Sequence, residues 1–177
     1  MVGLWIFVMA IVLISQRLIE LSIAKKNRTW ALAAGAQEFG EGHYPLFFIL
    51  HIGWLIGWIV EGGLHGNALS ELWYLWLGLF VFAQVLRYWC IASLGRFWNT
   101  RILVIPGSRL ISKGPYQYLK HPNYIAVAIE LAAVPLVFDA TLTAIFATMC
   151  NAGLILGIRI PVEEKSLRQG ISERNNL

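Results

Sequence analysis

The chain has 177 residues, 58% of them hydrophobic and 14% charged, an apolar share above and a charged share below those of ordinary soluble domains. Its formal charge is +4, but the basic residues are scattered through short loops between apolar runs, which argues against a nucleic-acid face. Eight Trp, six Tyr and nine Phe exceed what so short a chain hides in one water-exposed core, and suit lipid-facing and interfacial positions. The sequence therefore reads as a single all-α integral membrane domain spanning residues 1–177, with the lipid bilayer as its partner.

The first apolar run lacks a basic leader and is interrupted by Arg17 and Glu20, so a cleaved signal peptide is not expected. Five segments are apolar enough to enter a bilayer: Gly3 to Ala24, Tyr44 to Val60, Leu72 to Leu94, Asn123 to Phe138 and Ala140 to Ile158. Three spans thus occupy residues 1–94. The fourth segment is short and is joined to the fifth by a tight break around Asp139, which predicts a helical hairpin. About five transmembrane helices, or four full spans with a re-entrant hairpin, satisfy this pattern. Cys90 and Cys150 each sit inside an apolar run without a second Cys or His at ligand spacing, so neither a disulfide frame nor a metal site is predicted.

Loop charge gives the orientation. Lys25, Lys26 and Arg28 follow the first span; Arg96, Arg101, Arg109, Lys113 and Lys120 lie between the third and fourth; Arg159, Lys165, Arg168 and Arg174 follow the fifth. Arg17 and Arg87 are the exceptions, within spans. This distribution predicts an outside amino terminus and a cytoplasmic carboxyl terminus, and the compact, target-signal-free chain points to a prokaryotic plasma membrane. Polar residues inside spans are expected to face the bundle: Gln16, Arg17 and Glu20 on the first helix, then His51, Arg87 and Glu130, with snorkelling the simplest account of Arg87. Trp54, Trp58, Trp73 and Trp76 are expected in the interfacial belt and at lipid contacts.

The longest polar stretch, Gly95 to His121, is long for a compact bundle and carries enough apolar residues to be ordered. It ends in Gly-Pro-Tyr-Gln-Tyr-Leu-Lys-His-Pro-Asn-Tyr, Gly114 to Tyr124. Pro122 suits the first turn of a helix and disfavours helix at His121, placing His121 at a helix N-terminus, where free backbone amides attract anions. Tyr116, Tyr118 and Tyr124 supply aromatic faces and hydroxyls. A second cluster, Arg159, Glu163, Glu164 and Leu167, follows the fifth span. Four residues apart on a helix, Arg159 and Glu163 face the same way, ready to pair or to grip a ligand jointly. The hairpin returns this cluster to the leaflet of His121, so the two motifs can share a pocket. No Gly-x-Gly-x-x-Gly and no P-loop is present.

At Gly114, Tyr116, His121, Pro122, Tyr124, Arg159, Glu163, Glu164 and Leu167 the chain resembles the isoprenylcysteine carboxyl methyltransferase family. The resemblance covers roughly Gly95 to Leu167. Its specificity lies in two motifs at the right separation, since a lone histidine at a helix start or a charged helix end is commonly structural. Lys120 stands where the family has Arg, Ala126 where many relatives have Gly, and the family's Gly- and Tyr-containing tail is missing. The resemblance implies methyl transfer from S-adenosylmethionine to a lipophilic or prenylated small-molecule acceptor. A cytoplasmic cofactor pocket would be built in residues 95–177 from Tyr116, Tyr118, Leu119, His121, Tyr124, Glu163 and Glu164. Arg159, Glu163 and His121 are the implied catalytic residues: Arg159 to position a carboxylate, His121 or Glu163 as base for an enol or phenol. Arg17, Glu20 and Glu130 are the candidates for the acceptor side. Two rival readings are a nicotinamide-dependent reductase of the sterol-reductase type and a non-enzymatic membrane carrier or subunit.

Overall fold

The computed structural model describes the backbone of residues 2–66, 68–108 and 110–175 and the side chains of 3–66, 68–108 and 110–170. Arg109 and the Arg174 side chain, two of the charges used for orientation, lie outside these residues. The described chain is an all-helical bundle with one small strand pair: α1 (Val2–Ala33), β1 (Gln37–Phe39), α2 (Tyr44–Leu64), α3 (Trp73–Leu94), β2 (Ile102–Val104), α4 (Pro122–Val137), α5 (Thr141–Leu154) and α6 (Ile160–Asn175). One π-helical turn, Ile155–Arg159, joins α5 to α6 without a break.

Four helices are long and apolar enough to cross a membrane, Gly3–Ala33, Glu41–Leu64, Trp73–Phe97 and Thr141–Gly170, and α4 is the shorter fifth. A water-soluble fold could not leave Leu4, Phe7, Ile11, Ile49, Phe82, Val85, Phe146 and Leu156 all exposed, because so much apolar surface aggregates in water. In a bilayer the same face is solvated by lipid chains. The inward stripe of α1 runs Ile6, Ala10, Leu13, Gln16, Glu20, Ala24, Asn27 and Ala31, a three-and-four spacing that keeps one side against the bundle. That stripe continues well past Ala24, the boundary expected from hydropathy.

Two sequence expectations change. Trp54 and Trp58 are not belt residues but core, 5% and 0% exposed: the Trp54 Nε1–H donates to the Leu131 carbonyl at 3.0 Å, and Trp58 stacks on Phe138 at 5.2 Å between centroids. Hydropathy cannot tell a ring facing lipid from one facing a neighbouring helix. The fifth segment also does not end at Ile158, because the helix runs on through α6, whose polar residues hide its continuity from a hydropathy reading.

The hairpin between α4 and α5 is present. Pro135 ends α4 within a turn, Asp139 takes a left-handed conformation at φ 57°, and the amides of Phe138 and Ala140 both donate to the Pro135 carbonyl at 3.0 Å. Glu61 of α2 then caps the start of α5, accepting from the Leu142 and Thr143 amides at 2.8 Å each. A carboxylate there satisfies orphan amides and meets the positive end of the dipole.

At the opposite end β1 and β2 pair antiparallel, with Glu38 opposite Leu103. This pair joins the loop after α1 to the loop after α3, and α6 packs against both strands. The three basic segments therefore lie together at one end of the bundle. Side-chain amides hold the long loop down: Asn27 donates to the carbonyls of Gly95 and Trp98 at 3.1 and 2.7 Å, and Asn99 to that of Ala24 at 3.0 Å.

Candidate functional site

The site forms where the start of α4 meets the π-turn and the first turn of α6. Pro122 opens α4 and His121 is its N-cap, at φ −130°, so the imidazole is held beside the helix end and stacks on Tyr124, 5.4 Å between centroids at 15°. Gly114 has φ 55°, and a Cβ there would collide with Ser93 Oγ and lie 2.7 Å from Trp89 Nε1. Its glycine is thus required twice, by conformation and by space. The turn it makes sends Tyr116 down onto α3, where its hydroxyl meets Cys90. Burial pushes the Tyr116 hydroxyl well above its ordinary range, with the neighbouring Cys90 adding to the shift. Ala126 lies fully buried against Leu86 and Cys90, a position where its methyl fills space.

The Tyr124 hydroxyl is the centre of the cluster. It donates to a Glu163 carboxylate oxygen and accepts from Arg159 Nε at 3.1 Å. Arg159 also donates through Nη2 to the Thr100 carbonyl at 2.9 Å and lies 5.8 Å from the Phe47 ring centroid. Arg159 and Glu163 therefore meet through Tyr124, and among the described residues they form no direct ion pair, unlike the simple four-residue pairing expected from a regular helix. The π-turn ends at Arg159 and turns Arg159 and α6 together relative to α5. Arg159 is 8% exposed, so its charge is balanced inside the cluster.

His121 Nδ1 stands 3.9 Å from Glu163 and Nε2 3.7 Å from Glu164, so the histidine lies between both members of the acidic pair. Its Nε2 is shielded from solvent and has no hydrogen-bond partner. Buried polar atoms of this kind are uncommon unless a ligand or water completes them. Tyr118 and Leu119 are more open, 79% and 42% exposed, on the solvent side of the same loop. Thr100 and Phe47 escaped the sequence reading. A backbone carbonyl and a phenyl ring carry no motif, and only the folded loop brings them to Arg159.

A second polar cluster lies deeper among α1, α3 and α4. Arg17 pairs with Glu20 at 2.6 Å and with Glu130 at 2.7 Å. Arg87 pairs with Glu20 at 3.3 Å and with Glu130. Gln16 donates to Glu20 at 2.9 Å and to Gln84 at 2.6 Å, and Gln84 to Glu130 at 3.0 Å. Arg87 is 1% exposed and does not snorkel: two carboxylates inside the bundle hold it. The four charges cancel. Glu20, Arg87 and Glu130 are shut in, whereas Arg17 keeps 30% of its side chain exposed.

The chain matches the Isoprenylcysteine carboxyl methyltransferase (ICMT) family over residues 76–169, which takes in most of α3, the long loop, the hairpin and both motifs. It is 39% identical over 158 residues to the Bacillus subtilis (strain 168) protein YpbQ, itself described as uncharacterized, covering 89% of this chain and 94% of that one. It is 26% identical over 152 residues to an uncharacterized Haemophilus influenzae protein, covering 85% and 88% of the two chains. No solved structure matches it. With the family match spanning both motifs and the whole of the loop between α3 and α4, the chain belongs to the isoprenylcysteine carboxyl methyltransferase family.

Proposed function

We propose that the protein is an S-adenosylmethionine-dependent methyltransferase that acts at the membrane on an oxygen of a lipophilic or prenylated small-molecule acceptor. The observation that carries this reading is the convergence of His121, Tyr124, Arg159 and Glu163 in one contact cluster within a family of methyltransferases. The residues fit the cofactor chemically. Glu163 and Glu164 suit ribose hydroxyls and a sulfonium charge, the unpartnered His121 Nε2 suits a polar ligand atom, and Tyr116, Tyr118 and Leu119 border the loop side with apolar and aromatic surface. When bound, S-adenosylmethionine supplies an electrophilic methyl group, so the protein's part is positioning rather than covalent chemistry.

Arg159 is already oriented by Tyr124 and the Thr100 carbonyl, and it serves to hold the acceptor oxygen. A carboxylate acceptor needs no base. For an enol or phenol, His121 or Glu163 takes the proton, and their mutual proximity lets the proton pass to the cytoplasmic face. The acceptor arrives from the bilayer past the exposed edge of Arg17, which Glu20 and Glu130 hold in place. The basic loops orient this end toward the cytoplasm of a prokaryotic plasma membrane.

The test is calorimetry with S-adenosylmethionine on detergent-purified protein, comparing wild type with His121→Ala and Glu163→Ala. Micromolar binding in wild type, lost in both variants, supports the reading. No binding by a protein shown to be folded overturns it, and saturable binding of a nicotinamide dinucleotide instead would favour a reductase.

A further inference from the structure

Arg159 depends on the Thr100 carbonyl for one of its two anchors, and Thr100 lies in a loop with no helix to stiffen it. Asn27 and Asn99 hold its start to α1, and the residue after Thr100 ties its far side to β1. Arg101 donates to Glu38 of β1 at 2.5 Å, and its guanidinium lies 4.2 Å from the centroid of the Tyr44 ring. The other oxygen of Glu38 accepts from Arg28 Nε at 2.8 Å, tying the latch to the end of α1. The Glu38 side chain is 5% exposed while Arg28 and Arg101 keep 41% and 31% of theirs, so the carboxylate is enclosed by two arginines that reach in from the surface, and its strength lies in being held by both at once. Beyond Arg101 the chain enters β2, which packs on α6: a Cβ at Gly170 would meet Val104 Cγ1, and the Gly107 amide reaches the Gly170 carbonyl at 3.4 Å.

We infer that Glu38, outside both sequence motifs and outside the family-matched segment, is a positioning residue. Through Arg101 it sets the Thr100 carbonyl that orients Arg159, and through β2 it holds α6 and its acidic pair in place. The mechanical consequence stands on these contacts. The cofactor consequence rests on the methyltransferase reading. Because the path runs through Arg101, Arg28 contributes to holding α1 but lies off the route to Arg159.

Hydrogen–deuterium exchange on the detergent-solubilised protein, without any ligand, tests the mechanical claim, and calorimetric S-adenosylmethionine binding tests its consequence. Glu38→Gln and Arg101→Gln should each raise exchange in residues 99–108 and in the 160–170 helix while leaving α3 and α4 protected. Each should also weaken S-adenosylmethionine binding about tenfold, well within the cost of a small misplacement of a positioned group. Arg28→Gln should leave both regions and the affinity near wild type, and Glu38→Asp should restore part of both readouts. Exchange confined to β1, or an Arg28→Gln effect equal to that of Glu38→Gln, overturns the inference, as does unchanged affinity in a cofactor-binding wild type. If wild type binds no cofactor while the exchange pattern appears, the methyltransferase reading falls and the coupling stands.

Discussion

Arg159 and Tyr124 are joined by a 3.1 Å hydrogen bond from guanidinium Nε to phenol oxygen, and the same hydroxyl reaches Glu163. One oxygen thus ties α4 to the end of the π-turn and to the first turn of α6. Tyr124→Phe keeps the ring and its stacking on His121 but removes that tie. S-adenosylmethionine affinity should fall about 10- to 100-fold, as expected for lost positioning, with only a small drop in melting temperature. A loss confined to stability would make Tyr124 structural.

The buried quartet of Arg17, Glu20, Arg87 and Glu130 should behave as a unit. Glu130→Ala leaves Arg17 and Arg87 sharing the single carboxylate of Glu20 inside the bundle, and breaking such a buried pair costs roughly 3–5 kcal/mol. Arg87→Met combined with Glu130→Leu removes both charges together and should be less harmful than Glu130→Ala alone. Unfolding in mixed micelles would measure this, and additive losses from the two sites would show that they do not interact.

Glu61 makes a capping prediction at the other end of the bundle. Its carboxylate accepts two backbone amides and the Thr143 hydroxyl, the last at 2.6 Å. Glu61→Ala should cost about 1–2 kcal/mol, in the range of a strong N-cap, and should speed amide exchange in the first turn of α5 without altering cofactor affinity.

The Glu38 latch carries a sign with pH. Partial burial pushes its carboxyl up, but hydrogen bonds and charge from Arg101 and Arg28 outweigh this and hold it below its ordinary value of 4.5. A carboxyl depressed on folding stabilises the native state fully above about 4.5, and that contribution is lost as pH falls through the lower folded value. The gap in melting temperature between wild type and Glu38→Gln should therefore be constant from pH 7 to about 5 and shrink below about 4. A gap that widens with acid would contradict the assignment.

Gly114→Ala should be the most damaging of the small substitutions in the long loop. The left-handed φ of 55° and the crowding against Ser93 and Trp89 together predict a loss of about 1–3 kcal/mol, typical of overpacking and strain. Tyr116 should shift with it, which the fluorescence of nearby Trp89 would register.

Much of this protein is written in local chemistry. Apolar runs of sufficient length determine helices in a bilayer, because backbone groups there must be satisfied within the segment. Pro122 set the start of α4, Asp139 marked the hairpin, and the spacing of His121, Tyr124, Arg159 and Glu163 pointed to a family and to one shared site. Intramembrane charge marked Arg17, Glu20 and Glu130 as inward-facing, since charge in lipid is too costly to leave unpaired.

Tertiary structure alone decided who pairs with whom. That Arg87 answers two carboxylates, that Trp54 and Trp58 are core, and that Arg159 reaches Glu163 through Tyr124 all depend on neighbours remote in sequence. The π-turn and the three-residue strands lie below the reach of periodicity, because one extra residue in a helix and one short ladder leave no repeating pattern. Glu38 is the clearest case: a lone glutamate in a polar loop has no signature, and its meaning comes from the two arginines that folding brings to its oxygens.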